Sequence, residues 1–374
     1  MEKTSILHLH EIAPDFIKIT DTVAREVYEL SGKGKKFEAD KLAVNIMEKL
    51  LNELPYKIRV LIGEGEKDNS AVLDQGKKYG MKLKENIELD VVVDPLECTT
   101  NFSKGLPDSM SVMLIARKDT IQPVPGTYMK QLLLPKEVKE LGKPEILEQK
   151  KLSSEDKELI NKYISIEEGD RKKIVINKQL LEAEPIEILK LVAIALDLNI
   201  SDLTVVIQDR PRHKEIIDKV REAGAGIALI ESGSISASAE IIVRKEGRYN
   251  LLMGTYGAPE GLIQAFMAKS TGSIFLGKIQ PHNEKTEQEA EKFNLIDKIY
   301  SEEEWIKDEG ILTMSGIHSS TWLPGVRKIY KKVKSSENTK PYRYLVSTVV
   351  WTINNVQLLE LEDGDLRKKE ILFQ

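Results

Sequence analysis

The stretch GEGEKDNS, residues 63–70, places Glu64, Glu66 and Asp68 at alternate positions directly after the apolar run Val60, Leu61, Ile62. Like charges this close repel one another, so the cluster needs open water or a cation. A second acidic stretch, LDVVVDPLECTTNFSKGLPDSMSV at residues 89–112, has a similar layout. Val91, Val92 and Val93 read as a buried strand, Asp94 as its exit, Pro95 as a rigid turn, and Glu97, Cys98, Thr99 and Thr100 as the start of a helix or loop. Carboxylates fixed on rigid backbone at strand ends suit hard cations such as Mg2+ or Mn2+, which prefer oxygen ligands. Amides around Thr99 and Thr100, if they open a helix, offer an anion site. A cation site with an anion site is the equipment of phosphate chemistry. Each feature taken alone has a plainer reading: alternating acids describe a solvated turn, Asp94 before Pro95 a shaped turn or cap, and Glu260 after Pro259 a first-turn residue favoured by the helix dipole.

The elements that must carry these residues are legible from periodicity. Leu42, Ala43, Ile46, Met47, Leu50 and Leu51 recur at helical spacing and predict an amphipathic helix over 40–54, with Asp40 in its first turn. Short β-branched runs at 58–62, 89–93 and 111–116 predict strands. Between 135 and 171 the sequence turns Lys/Glu-rich, as a solvated excursion or a domain boundary does. Beyond it, strands at 203–207, 226–230 and 250–253 alternate with helices from about 212, near 235–243 and from 259, which argues for crossover units in an α/β domain. HNEKTEQEAEKFNL reads as an exposed helix, and YRYLVSTVVWTINNVQLLELE as one or two closing strands.

The chain has 374 residues, 41% of them hydrophobic, enough to fill the cores of two domains. Its single cysteine, Cys98, excludes an internal disulfide and a Cys-rich zinc site and fits a reducing compartment, the cytoplasm by default. The N-terminal MEKTSILHLHEIAPDF lacks a secretory pattern, and no run approaches the roughly 20 apolar residues of a membrane span. With 55 basic against 60 acidic residues, a net charge of −5 and no basic stripe interleaved with aromatics, nucleic acid is not expected as a partner, nor is a membrane.

The segments IGEGEKD, DPLECTT, TYMKQLLLP, DRPRH and YGAPEG, with a fainter echo in ILTMSGI at 311–317, stand in the order seen in class II fructose-1,6-bisphosphatases, and the DP-L-E-x-T segment resembles the wider group of metal-dependent, lithium-sensitive sugar and inositol phosphatases. The resemblance implies a layered α/β fold of two mixed domains with the site in the cleft between them. The first domain would comprise residues 1–150 completed by 311–374, and the second 151–310 with sugar-phosphate-binding residues. It makes Asp40, Glu64, Asp94, Glu97 and Glu260 ligands of Mg2+ or Mn2+, and Asp68 and Thr99 the pair that orients the attacking water. Lys36, Thr100, Tyr128, Arg210, Arg212 and Gly257 match substrate-binding positions. A hydroxyl such as that of Thr99 scarcely ionises but can relay a hydrogen bond to Asp68, and planar guanidinium forks suit a second, unreacting phosphate.

This sequence departs from the family pattern in three places. Ser232, Gly233 and Ser234 stand where the family carries Asp-Gly-Asp on the sugar hydroxyls, Cys98 stands where it has Gly, and the charged segment 135–171 is extended. A positive φ at Cys98 would strain a non-glycine residue. The implied activity is hydrolysis of the 1-phosphate of fructose 1,6-bisphosphate in gluconeogenesis or a related carbohydrate pathway, by a homo-oligomer inhibited by lithium. The alternatives are a phosphatase of sedoheptulose 1,7-bisphosphate or an inositol phosphate, and a non-catalytic sugar-phosphate sensor.

Overall fold

The computed structural model describes residues 9–62, 73, 75–81, 87–167, 173–243, 247–330 and 342–373, so Glu64, Glu66 and Asp68 lie outside the described residues. The chain divides into two compact units, Met1–Pro123 with Lys307–Gln374, and Val124–Ile306. The first segment runs α1 (Ala13–Val27), α2 (Lys36–Glu53), β1 (Lys57–Ile62), β2 (Lys78–Tyr79), β3 (Glu88–Glu97), α3 (Thr99–Lys104) and β4 (Met110–Arg117). The second unit follows with β5 (Tyr128–Leu134), α4 (Lys136–Glu140), α5 (Pro144–Gln149), α6 (Ser154–Tyr163), β6 (Ile164–Glu167), β7 (Lys173–Ile176) and α7 (Pro185–Leu196). It continues through β8 (Thr204–Gln208), α8 (Lys214–Glu222), β9 (Gly226–Ile230), α9 (Ser234–Val243), β10 (Leu251–Gly257), α10 (Ala258–Thr271), β11 (Ile274–Gln280), α11 (Glu284–Lys292), β12 (Ile299–Ser301) and α12 (Glu302–Trp305). The chain then returns to the first unit as β13 (Gly310–Gly316), β14 (Arg327–Tyr330), β15 (Tyr342–Thr352), β16 (Asn355–Glu362) and β17 (Asp365–Phe373).

Among the described residues the first unit holds a nine-stranded sheet in the order β17-β16-β15-β13-β4-β3-β1-β2, with β14 beside β15. Only β1 and β3 run parallel in it. The helices α1 and α2 bury their apolar stripes, Phe16, Ile19 and Val23 on one and Ala43, Met47 and Leu51 on the other, in a core shared with Val60, Val91, Val93 and Ile115 of the strands. Asp90, inside β3 and fully buried, is satisfied by a bidentate pair with Arg59 at 2.7 and 2.8 Å and by the Asp119 amide. That is a structural role for an acid within the second acidic stretch.

The second unit is built on a six-stranded sheet in the order β12-β11-β5-β10-β8-β9, where β8 runs parallel to β9 and to β10 and the other pairings are antiparallel. The alternation expected from residue 203 onward is what the structure has: β8, α8, β9, α9, β10, α10. The Lys/Glu-rich stretch after 135 is no solvated excursion. Val138, Leu141, Ile160, Tyr163 and Ile164 lie in the unit's core, because short amphipathic helices bury one side and leave the charged residues on the other. The division at 123/124 falls earlier than the expected boundary at 150, since β5 pairs with β10 and β11.

Candidate active site

In the first unit, α2 packs on β3 and α3, bringing together the elements that carry the expected acids. The helix begins at Lys36, four residues before the expected start, so Asp40 lies in its second turn, buried among Ala39, Ala43 and Val44. The expected exit at Asp94 is likewise displaced. Strand β3 continues through Pro95 to Glu97, and its register against β4 shifts between Asp94, opposite Val112, and Glu97, opposite Met110. A proline inside a sheet is tolerated at such an irregularity, where the missing N–H leaves no ladder bond unmade. Glu97 ends the strand at 8% exposure and Asp94 is half-buried. Cys98 then turns the chain with φ 65° and ψ 41°, left-handed backbone that favours glycine, and Thr99 opens α3. That helix has only six residues, so the positive charge beside Thr100 comes from Lys36, whose Nζ donates to Thr100 Oγ1 at 3.4 Å.

In the second unit the register sets Tyr128 between Gly257 and Gln280 at the end of β5. The Arg212 guanidinium lies 4.8 Å over the Tyr128 ring. Its Nε and Nη2 both donate to the Thr255 carbonyl, at 3.1 and 2.7 Å, and Nη2 also to Gln208 Oε1. Arg210 donates to the carbonyls of Asp209 and Glu231, each at 2.8 Å. Both arginines are exposed yet held by backbone oxygens. Between them and the sheet sits His213, 2% exposed, whose Nδ1 lies 2.7 Å from the Gln208 carbonyl and whose Nε2 accepts from the Thr255 amide at 2.8 Å. Burial, and then the charges of Arg212 and Arg210, push this imidazole below its ordinary pKa, so it stays neutral and structural, as a residue at a helix start. A cavity of about 380 Å³ opens beside this group, with Lys130, Arg212, Lys219, Thr255 and Gln280 in its wall.

Ser232, Gly233 and Ser234 join β9 to α9. Gly233 has φ 85°, which accounts for glycine there, and Ser234 is the buried first residue of the helix. Gly257 ends β10 directly before α10, and the Glu260 carboxylate folds back over it: a Cβ at 257 would lie 2.0 Å from Glu260 Oε2.

Lys36, Asp40, Asp94, Glu97, Thr99 and Thr100 thus lie in the first unit, and Tyr128, Arg210, Arg212, Ser232, Gly233, Ser234, Gly257 and Glu260 in the second. Sequence reasoning passed over Gln208 and Thr255, which fix Arg212; the four-residue spacing of Gln208 and Arg212 was the only local signal, since Thr255 arrives through the sheet. Among the described residues no group of three or more His, Cys, Asp or Glu side chains is disposed to hold a metal ion. The oxygen-only donors Asp40, Asp94 and Glu97 fit a hard cation in kind, and the expected fourth donor of that region, Glu64, is outside the described residues. No helix among the described residues is long and apolar enough to cross a membrane.

A family model for bacterial fructose-1,6-bisphosphatase, glpX-encoded, matches residues 10–152 and 164–340. Among curated proteins, the chain is 28% identical over 380 residues to a D-fructose 1,6-bisphosphatase class 2/sedoheptulose 1,7-bisphosphatase of a Synechococcus species, covering 95% of this chain and 97% of that one. It is 32% identical over 289 residues to the protein of that name from Synechococcus elongatus, covering 75% and 71%, and 29% identical over 346 residues to that of Synechocystis, covering 86% and 89%. The order of the motifs, the mixed α/β units that carry them and the length of these matches lead to one conclusion: the chain belongs to the bacterial, glpX-encoded fructose-1,6-bisphosphatase family.

Proposed function

We propose that this protein is a metal-dependent phosphatase that hydrolyses the 1-phosphate of fructose 1,6-bisphosphate, giving fructose 6-phosphate and phosphate. The observation that carries the reading is the extent of the family match, which runs over the acids and threonines at 94–100 as well as over Tyr128, Arg210 and Arg212. In this reading Asp40, Asp94 and Glu97, with Glu64, hold Mg2+ or Mn2+, and Glu260 has the same assignment. Bound cations lower the pKa of a water and neutralise charge on the leaving oxygen. The Thr99 hydroxyl relays a hydrogen bond between that water and Asp68 and so aims the nucleophile. Lys36, beside Thr100, meets phosphate charge.

Tyr128, Arg210 and Arg212 take the unreacting phosphate. The two guanidinium groups are already tethered to the carbonyls of Asp209, Glu231 and Thr255, so little rotamer freedom is left to the arginines to lose on binding. Ser232 and Ser234, on the Gly233 turn, hydrogen-bond the sugar hydroxyls as neutral partners; a charged acid in such a place contributes about 1.5–3 kcal/mol against about 0.5–1.5 kcal/mol for a neutral group. That loss favours keeping sedoheptulose 1,7-bisphosphate as a second substrate, since the matched relatives carry both activities in their names. The reading also implies inhibition by lithium, a homo-oligomer, and a cytoplasmic place in carbohydrate metabolism.

The test is phosphate release by metal-stripped protein with Mg2+ or Mn2+ added back, on both bisphosphates, with Asp94→Asn and Thr99→Ala as controls. Metal-dependent release that falls by about 10²-fold or more in both variants is expected. Release that persists in the variants would sink the site assignment, and a folded protein that releases nothing would sink the activity. A preference above about tenfold in kcat/KM for the seven-carbon substrate, about 1.4 kcal/mol, would replace the first substrate by the second.

A further inference from the structure

Residues 28–36 of the first unit form a strap fastened on two sides. On one side, the Glu29 carboxylate accepts from the Tyr342 hydroxyl at 2.9 Å and from Tyr344, and pairs with Lys328 Nζ at 2.8 Å. On the other, the amides of Gly32 and Gly34 donate to the carbonyls of Phe102 and Ser103 in α3, each at 3.0 Å, and Lys36 reaches Thr100. Gly32 and Gly34 have φ 64° and 69°, left-handed turns that let the strap lie flat against α3. Between the two fastenings sits a Ser–His pair that neither the motifs nor the family resemblance assigns. Ser31 Oγ lies 2.5 Å from His318 Nε2, and His318 Nδ1 lies 2.6 Å from the Leu106 carbonyl.

The proton positions follow from the partners. A carbonyl only accepts, so Nδ1 carries the hydrogen and Nε2 accepts from the Ser31 hydroxyl. Burial lowers the affinity of this imidazole for a second proton and keeps Nε2 an acceptor. The ring is held in place by stacking on Phe102, centroids 5.3 Å apart at 14°, and by the edge of Tyr28 at 6.4 Å. His318 therefore touches the strap through Ser31, α3 through Phe102, and the chain just past the end of α3 through the Leu106 carbonyl.

We propose that His318 and Ser31 are positioning residues for the phosphatase reaction: their hydrogen bond locks the strap onto α3 and thereby sets Lys36 beside Thr100, where it meets the phosphate. The inference rests on the function proposed above. Lys36 is on the substrate side of that reading and not among the groups that act on the water. Loosening the strap therefore weakens substrate binding and leaves turnover at saturation nearly intact.

The experiment compares His318→Ala, His318→Gln and Ser31→Ala with the parent enzyme, reading kcat and KM for fructose 1,6-bisphosphate and amide hydrogen exchange at Gly32 and Gly34. Expected is a KM raised about tenfold in His318→Ala and Ser31→Ala with kcat within about twofold, together with faster exchange at both glycines. Gln offers a donor to Leu106 and an acceptor to Ser31, so His318→Gln should recover most of the KM. An unchanged KM, or kcat lost without a change in KM, would overturn the proposal, as would failure of Gln to rescue. Should His318→Ala not fold, Ser31→Ala, which leaves the imidazole in its stack, decides alone. If the parent shows no phosphatase activity, the proposed function falls and the exchange data judge the strap: unaltered protection in Ser31→Ala removes the lock.

Discussion

His213 accepts the Thr255 amide on Nε2 and faces the Gln208 carbonyl with Nδ1, so both ring nitrogens are committed with one proton between them. A second proton would set Nε2–H against the Thr255 N–H, in a site already 2% exposed and next to two arginines. The folded-state pKa therefore lies below the ordinary 6.5. Unfolded chain binds the proton more readily than folded chain below that value, so the contribution of His213 to stability is complete above pH 6.5 and is lost as pH falls through it. Chemical denaturation at pH 7.5, 6.5 and 5.5 should show the parent losing stability faster than His213→Gln, by up to about 1.4 kcal/mol per pH unit. Taking the difference between the two proteins removes the opposing slope of Asp21, whose buried carboxyl is pushed up to about 6 and favours the fold as it is protonated. Parallel curves would mean that His213 is solvated enough to titrate normally. None of this was visible in DRPRH, because the partners Gln208 and Thr255 belong to two different strands.

The segment from β3 to α3 shows which part of an element its own sequence encodes. Val91, Val92 and Val93 announce a buried strand, but Pro95 reads as a stop, and the strand runs two residues past it because the partner strand β4 accommodates an irregularity between Asp94 and Glu97. Likewise α2 starts at Lys36 without any side-chain cap, so no capping residue marks its start. At Cys98 the backbone is left-handed, and the thiol is nearly buried at 6% exposure. Left-handed backbone costs a side-chain-bearing residue about 1–2 kcal/mol, while glycine gives back about 0.5–1 kcal/mol in unfolded-chain entropy. Cys98→Gly should consequently lie within about 1 kcal/mol of the parent, whereas Cys98→Val, β-branched and hostile to this φ, should lose more than about 2 kcal/mol. Urea midpoints of the two variants decide it. Equal midpoints would show that the turn relaxes freely and that Glu97 before it is not held by backbone.

At the scale of the whole chain, the two units differ in how they are threaded. Val124–Ile306 is one continuous segment, and among the described residues its core, from Leu132 to Leu276, draws on none outside it. The first unit is split: β4 pairs along its length with β13, which arrives only after the second unit has been made. Composition could not locate that seam, because the change to Lys/Glu-rich sequence at 135 marks the outer faces of helices and not the point where pairing partners change. A chain cut at the seam should show the asymmetry. Residues 124–306 produced alone should unfold cooperatively in urea. Residues 1–123 alone lose, among the described residues, seven apolar residues that the return segment contributes to the core shared with α1 and α2, Ile311, Ile317, Val326, Tyr344, Val346, Val350 and Leu359. At roughly 1.5–3 kcal/mol per buried side chain, that loss matches or exceeds the 5–15 kcal/mol that holds a typical domain together. It also bares β4 as an unpaired apolar edge, with Met113, Leu114 and Ile115 fully buried in the intact protein. The shorter fragment should therefore aggregate or remain unfolded, and adding residues 307–374 in trans should restore cooperative unfolding. A folded, monomeric 1–123 would show that β13 and the closing strands are an annex to the first unit and not part of its core.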